Sequence, residues 1–265
     1  MVDGYLMHHG IKGQKWGVRR YQNEDGTLTP EGYEHYGLKN LKRARTSNLS
    51  KWGKSADSNI LYIAGYSGSG KSTTSIGLSK HGDTVIHLDG YTDGNGSNAK
   101  EVQNKKFNSY LDKKVPKWKR MRDATSDGSN GTMKRYTKEY WKTVDQFRDA
   151  VESFGREEFK NNRRVIVEGV QLADDWWSED KSWFNGKPIV IMNTDPITSM
   201  KRAFARDERG GLLKGLGSLD SAKEYIDWYS DTSKTLNQLA KETDSKYGQE
   251  EVKELLKQYG KEKLK

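Results

Sequence analysis

One stretch constrains the fold of this 265-residue chain more than any other: Ile60-Leu-Tyr-Ile-Ala64 runs directly into Gly65-Tyr-Ser-Gly-Ser-Gly70-Lys71-Ser72 and then into a helical pattern. Apolar strand, glycine loop and helix, in that order, are what a phosphate-binding loop requires. Gly65, Gly68 and Gly70 let the backbone adopt conformations barred to residues with side chains, so that several N–H groups can converge on phosphate oxygens. Lys71 supplies a point charge for β and γ phosphates, and the Ser72 hydroxyl suits Mg²⁺. The following helix points its positive end at the same anion. The expected triphosphate contacts are Gly65, Ser67, Gly68, Ser69, Gly70, Lys71, Ser72 and Thr73, with ATP or another nucleoside triphosphate and Mg²⁺ as cofactors.

Downstream, short apolar runs alternate with longer amphipathic ones, the pattern of βαβ units around a mostly parallel sheet flanked by helices. Strands are expected at 60–64, 84–88, 164–168 and 188–193, and helices at 71–80, 136–160, 196–208, 219–243 and 249–258. Together with the loop, this predicts an α/β, P-loop NTPase fold over 58–265. Residues 1–57 are set apart as a small glycine-rich module and linker, because Gly4, Gly10, Gly13, Gly17, Gly26, Gly32 and Gly37 recur too often for a long helix or strand. The basic stretch Lys39 to Arg45 and the polar run Ser55 to Asn59 read as linker, with the main domain beginning near Asn59.

A glycine loop speaks for nucleotide binding, not for a reaction, so the other strand ends matter, where open α/β sheets place their sites. Asp89, after the second strand, is a carboxylate placed to take a proton from a substrate hydroxyl, or else a turn cap. Glu168, ending the third strand, is placed to hold Mg²⁺ with Ser72, or else faces solvent. Arg202 and Arg206 share a helix face four residues apart, and Arg209 precedes a glycine pair. Such arginines suit a lid that neutralises a transferring phosphoryl group, or else a solvated basic face.

The glycine loop, the Leu-Asp89-Gly-Tyr91 turn, the Val-Glu168-Gly-Val segment and Arg206-Asp207…Arg209-Gly210 resemble the uridine kinase and phosphoribulokinase branch of P-loop kinases, over about residues 59–210. The resemblance implies phosphoryl transfer to a hydroxyl of a small acceptor such as a nucleoside, nucleotide or related metabolite. It further implies Asp89 as the base, Glu168 near the metal, and Arg202, Arg206 and Arg209 on the triphosphate, with Lys71. Two departures leave the acceptor open. The spacing from Arg-Asp to Arg-Gly is shorter than that family's, and the insert after Tyr91 lacks its characteristic uridine-gripping residues.

The insert, 92–160, is the expected acceptor-binding region and the most polarised part of the chain, with 13 Lys and Arg against 6 Asp and Glu from Lys100 to Asp145. Phe107, Tyr110, Trp118, Tyr136, Tyr140 and Trp141 are interleaved with these charges. They fit either bases or sugars stacking beside phosphate-binding cations, including those of a nucleic acid, or rings packed inward under a solvated face. The chain's formal charge of +9 favours phosphate-bearing partners without choosing among them. Absence of Cys excludes disulfides, thiolate zinc sites and cysteine nucleophiles. No apolar run approaches the length of a membrane span, so no membrane partner is expected.

The segment around His8-His9-Gly-Ile-Lys-Gly-Gln-Lys-Trp16-Gly-Val-Arg19-Arg20-Tyr21 resembles, over about residues 5–37, a short module of structural proteins of tailed phages and prophages. That resemblance implies a phage-encoded protein in the host cytoplasm or on the virion, with residues 1–57 docking to a phage structural protein. The alternative function is then a nucleotide-binding virion structural or DNA-associated protein without turnover.

Overall fold

A computed structural model describes residues 44–79, 82–92, 103–174, 176–192, 194–206, 219–248 and 251. The phage-like segment, Arg209 and nearly all of the expected helix at 249–258 lie outside the described residues.

Strand β2, Ile60–Ala64, is buried at all five positions, as a run with no polar alternation demands when both faces of the sheet are covered. Its neighbours are β4, Val165–Glu168, and β5, Ile189–Ile191, both parallel to it, and β3, Thr84–His87, runs parallel beyond β4. On the other side, β1, Arg45–Ser47, pairs antiparallel with β5, and β6, Lys246–Tyr247, pairs antiparallel with β1. The protein is therefore α/β with a mixed six-stranded sheet in the order β3-β4-β2-β5-β1-β6, in which β3, β4, β2 and β5 are mutually parallel.

Side chains alternate across β2. Ile60, Tyr62 and Ala64 join a large core with Val165, Val167, Ile189 and Ile191, while Leu61 and Ile63 face the opposite layer with Ile166 and Val190. The helices are α1, Lys71–Leu78; α2, Asp89–Thr92; α3, Lys105–Lys114; α4, Trp118–Arg122; α5, Lys138–Lys160; α6, Pro196–Arg206; and α7, Leu219–Glu242. Helix α5 starts where the Thr137 hydroxyl accepts from the Tyr140 N–H at 3.3 Å. Its buried Tyr140, Val144, Phe147, Val151 and Phe154 recur at helical spacing and seat it on the large core. At Gly155 the helix presses against β2: a Cβ there would lie 2.5 Å from Ile60 Cγ1.

The expected start of the sheet domain near Asn59 is corrected by this arrangement. β1 is part of the sheet, and Ala44, Leu49 and Trp52 are buried in the second core layer beside Leu61, Ile63 and Leu78. The polar run that suggests a linker is ordered against the body of the protein, with Ser58 and Asn59 buried and Ser55 and Asp57 exposed. Ser55 and Ser58 form a reciprocal cap on a 3₁₀ turn, and the Asn59 amide donates to the carbonyls of Gly155 and Arg163 at 2.7 and 2.9 Å.

Trp52 ties this segment to the strands. Its Nε1 donates to the carbonyls of Asn59 and Val165 at 3.2 and 3.3 Å, and the Arg164 guanidinium lies 4.0 Å from its ring centre. Replacing Trp52 by Ala is expected to destabilise the protein by about 3–5 kcal/mol in urea unfolding. A loss below about 1 kcal/mol would show that residues 44–58 are not part of the cooperative unit.

Candidate functional site

β2 ends where the connections diverge. The chain leaves it by α1 toward β3 on one side, and the later connection from β4 crosses past it to β5 on the other. In such a sheet a crevice opens outside the carboxyl end of the strand at this point. The loop 65–70 occupies it, joining β2 to α1.

The loop's shape needs its glycines. At Gly65 a Cβ would meet Ser69 Oγ at 2.7 Å and Met192 Cβ at 2.8 Å, so no side chain fits there. Gly70, capping α1, has φ +95°, a left-handed conformation that glycine adopts without cost. Lys71, the first residue of α1, is buried and folds back so that Nζ donates to the Tyr66 carbonyl at 2.9 Å. Ser67 is half-buried, and Ser69 is buried with an Oγ that has no hydrogen-bond partner among the described residues. Thr73 is half-buried on the first turn of α1.

Contacts from distant elements hold this loop in place. Thr194 Oγ1 donates to the Ser69 carbonyl at 3.0 Å, and the Tyr229 hydroxyl, from α7, donates to the Ser67 carbonyl at 2.8 Å. The rings of Tyr66 and Tyr229 stack at 5.4 Å. Neither Thr194 nor Tyr229 stands out in the sequence, since a single Thr after a strand and a Tyr in a helix are common core or cap residues.

Strand register brings the second half of the site together. Glu168 lies beside Ile63 on one side and His87 on the other. Ser72 Oγ donates to Glu168 Oε1 at 2.9 Å, and His87 Nδ1 hydrogen-bonds the same oxygen. Glu168 is buried, which by itself pushes its carboxyl upward. The His87 hydrogen bond, the Lys71 charge and the Ser72 hydroxyl outweigh that and hold it below the ordinary 4.5. Its other oxygen, Oε2, is buried and has no hydrogen-bond partner among the described residues.

The chemistry of this donor set fits a hard cation. Mg²⁺ characteristically takes one or two protein oxygens and completes its shell with water and phosphate oxygens. Ser72 Oγ and the orphaned Glu168 Oε2 supply two such oxygens next to a loop of backbone N–H groups. Among the described residues there is no cluster of three or more His, Cys, Asp or Glu that could hold a metal by protein groups alone.

Asp89 stands at the start of α2, exposed at the end of β3. It does not join the Ser72–Glu168 pair. Its carboxylate accepts instead from the Gln171 amide, Nε2 to Oδ1 at 2.8 Å, and the same Nε2 donates to Thr92 Oγ1 at 2.8 Å. Gln171 is a residue that sequence reasoning missed, because a polar side chain in a turn after a strand carries no signal of its own. Arg202 is exposed on α6, and Arg206 is the last residue of that helix. Arg209 lies outside the described residues.

The insert divides between its two readings ring by ring. Phe107, Trp118 and Tyr140 are buried in the large core, which removes them as stacking platforms. Tyr110 and Trp141 pack half-buried against that core, and Tyr136 is 73% exposed. On the outer face Lys117 pairs with Glu139 at 2.7 Å and Lys119 with Asp112 at 2.9 Å, as in an ordinary solvated surface. The insert also anchors the Asp89 turn: the Tyr91 ring lies 5.4 Å from Phe107 and 5.6 Å from Trp118, and its hydroxyl donates to Asn108 Oδ1 at 2.8 Å.

Compared with known proteins, residues 1–23 match a family of unknown function (DUF7211). No curated protein and no solved structure matches the chain. Among the described residues no helix is long and apolar enough to cross a membrane.

The depressed Glu168 carboxyl has a consequence for stability. Because its folded-state value lies below the ordinary 4.5, its ionised form stabilises the fold fully above that pH, and the contribution fades as pH falls through the folded-state value. The stability gap between wild type and Glu168→Gln is therefore expected to be constant from about pH 7 to about pH 5 and to narrow below about pH 4.5 in urea unfolding. A gap that stays level into acid would show that the buried carboxylate is not held ionised.

Proposed function

We propose that the chain binds a nucleoside triphosphate, ATP or a close analogue, with Mg²⁺ and transfers its γ-phosphoryl group to a hydroxyl of a small acceptor, of the nucleoside, nucleotide or related metabolite class. The reading takes the sheet and its glycine loop as a P-loop NTPase core. The observation that carries it is the hydrogen bond from the exposed Ser72 to the buried Glu168, whose second carboxylate oxygen is left orphaned among the described residues, set directly beside a glycine loop whose Lys71 is folded over it.

In this reading the loop N–H groups and Lys71 hold the β and γ phosphates. Mg²⁺, held by Ser72 and Glu168, would offset charge on the phosphate oxygens. Asp89 takes the proton from the acceptor hydroxyl as the oxygen attacks phosphorus, and the nucleoside diphosphate leaves with the bridging oxygen. Asp89 begins α2 two residues past β3 and Glu168 ends the adjacent β4, so the two carboxylates lie at the same carboxyl end of the sheet with separate tasks. Arg202 and Arg206 on α6, with Arg209 beyond it, are the candidates for neutralising the phosphoryl group in transit.

Two substitutions separate binding from chemistry. Lys71→Ala is expected to weaken ATP binding by about 100-fold in calorimetric titration, the scale of one charge-assisted contact. Asp89→Asn is expected to leave ATP affinity within about twofold and to lower the transfer rate of labelled γ-phosphate by about 10²–10⁴, the usual contribution of a general base. Unchanged turnover in Asp89→Asn would remove Asp89 from the reaction. Tight ATP binding without transfer to any hydroxyl acceptor would leave a nucleotide-binding protein and not a kinase.

A further inference from the structure

We infer that Gln171 is a positioning residue for the phosphoryl-transfer reaction, orienting the Asp89 carboxylate toward the acceptor, and that Gly169 exists to make room for it. The inference rests on the function proposed above.

Asp89 is exposed, and a free exposed carboxylate samples several rotamers. A general base is effective only when one oxygen is held within hydrogen-bond reach of the proton it removes. Among the described residues its one side-chain partner is the Gln171 amide, bonded to Oδ1 at 2.8 Å. That leaves Oδ2 as the oxygen available to an acceptor. Because a carboxylate can only accept, the contact fixes which end of the Gln171 amide faces it, and the second N–H goes to Thr92 Oγ1 at 2.8 Å. Thr92 Oγ1 in turn donates to the Leu88 carbonyl at 3.1 Å, so the amide is held from two sides and cannot swing away with Asp89.

The opposite end of that amide explains the glycine between Glu168 and Gln171. Gln171 Oε1 is buried, and a Cβ on Gly169 would fall 2.3 Å from it and 2.8 Å from Leu88 Cβ. Gly169 itself is held against the central strand, its N–H donating to the Ile63 carbonyl at 3.2 Å. Four consecutive residues at the end of β4 thus serve both carboxylates: Glu168 meets Ser72, and Gln171 meets Asp89. Among the described residues, the titratable groups packed closest around β3 and β4 at this end of the sheet include Lys71 on α1, His87 on β3 and Glu168 on β4. All three belong to the Glu168 cluster, and among the described residues none of them bonds Asp89. A charge introduced at position 171 therefore acts on Asp89 without an intervening partner.

The test measures transfer of labelled γ-phosphate from ATP and Mg²⁺ to a pool of nucleosides, nucleotides and sugar nucleotides by wild type, Gln171→Leu and Gln171→Glu, with melting temperature alongside. Gln171→Leu keeps the size and removes the donor. It is expected to lower kcat about 10–100-fold, the range found for partners that orient a reacting group, with KM for ATP within about twofold. Gln171→Glu sets a second carboxylate against Asp89, which disfavours ionisation of the pair and is expected to shift the acid limb of the pH–rate profile upward by about one unit. A purely structural role would change the melting temperature and leave that limb where it is. Wild-type turnover retained in Gln171→Leu, or an unmoved acid limb in Gln171→Glu, overturns the inference and leaves the kinase reading standing. No transfer by the wild type to any acceptor overturns the kinase reading and the role of Gln171 with it.

Discussion

A carboxylate kept ionised inside a protein must find its compensation within hydrogen-bond distance, because removing a charge from water costs several kcal/mol before any partner is counted. Glu168 finds it in hydrogen bonds from the Ser72 hydroxyl at the start of α1 and the His87 ring on β3, and the Lys71 charge adds to these through space. Each of these is placed by something else. α1 starts where it does because Gly70 turns the chain, and His87 faces Glu168 because β3 and β4 pair in register. The charge is therefore a demand on the whole carboxyl edge of the sheet. A slip of β3 by one residue would turn His87 to the other face and leave the carboxylate short of a partner.

The central part of this fold is legible because its residues answer to local rules. Five apolar residues ending in a glycine-rich turn and a helical pattern admit few other conformations, and α5 announces itself by rings and aliphatics at helical spacing behind a Thr cap. The edges are not legible. Arg45–Ser47 and Lys246–Tyr247 are short and largely polar, and they are strands only because β5 offers a free edge for β1 and β1 then offers one for β6. Trp52 is an obvious candidate for burial, yet the serines and asparagine after it suggest a linker. Only the folded chain shows that Asn59 spends its amide on two carbonyls of the α5 end.

The site divides along the same line. Residue types with a fixed chemical task, the glycines, Lys71, Ser72, Asp89 and Glu168, can be picked out from spacing. Relations between them cannot: that Ser72 and Glu168 share a hydrogen bond while Asp89 belongs to Gln171 is decided by register and by the room left at Gly169. The aromatic insert leaves two readings open in the sequence, and its rings divide between them in the fold. Interleaved rings and cations suggest a binding surface, but Phe107 and Trp118 are consumed in fastening the Tyr91 turn, and through it Asp89, to the body of the protein. Burying two large rings there contributes stability on the order of several kcal/mol, which is what lets an exposed turn hold its place.

The contact between Tyr229 and Ser67 spans 162 residues of chain. Closing so long a loop has a high entropic cost that must be met before the contact repays it, so such pairings form late. During synthesis β2, the glycine loop and α1 emerge early, while the tyrosine that clamps the loop emerges only with α7. The nascent protein therefore holds the glycine loop without its outer clamp until α7 emerges, and the contact is made only when α7 docks. Chains cut short before α7 would retain much of the sheet and lack a properly held loop, which makes the integrity of the C-terminal helix, remote in sequence, a condition for the site at residue 67.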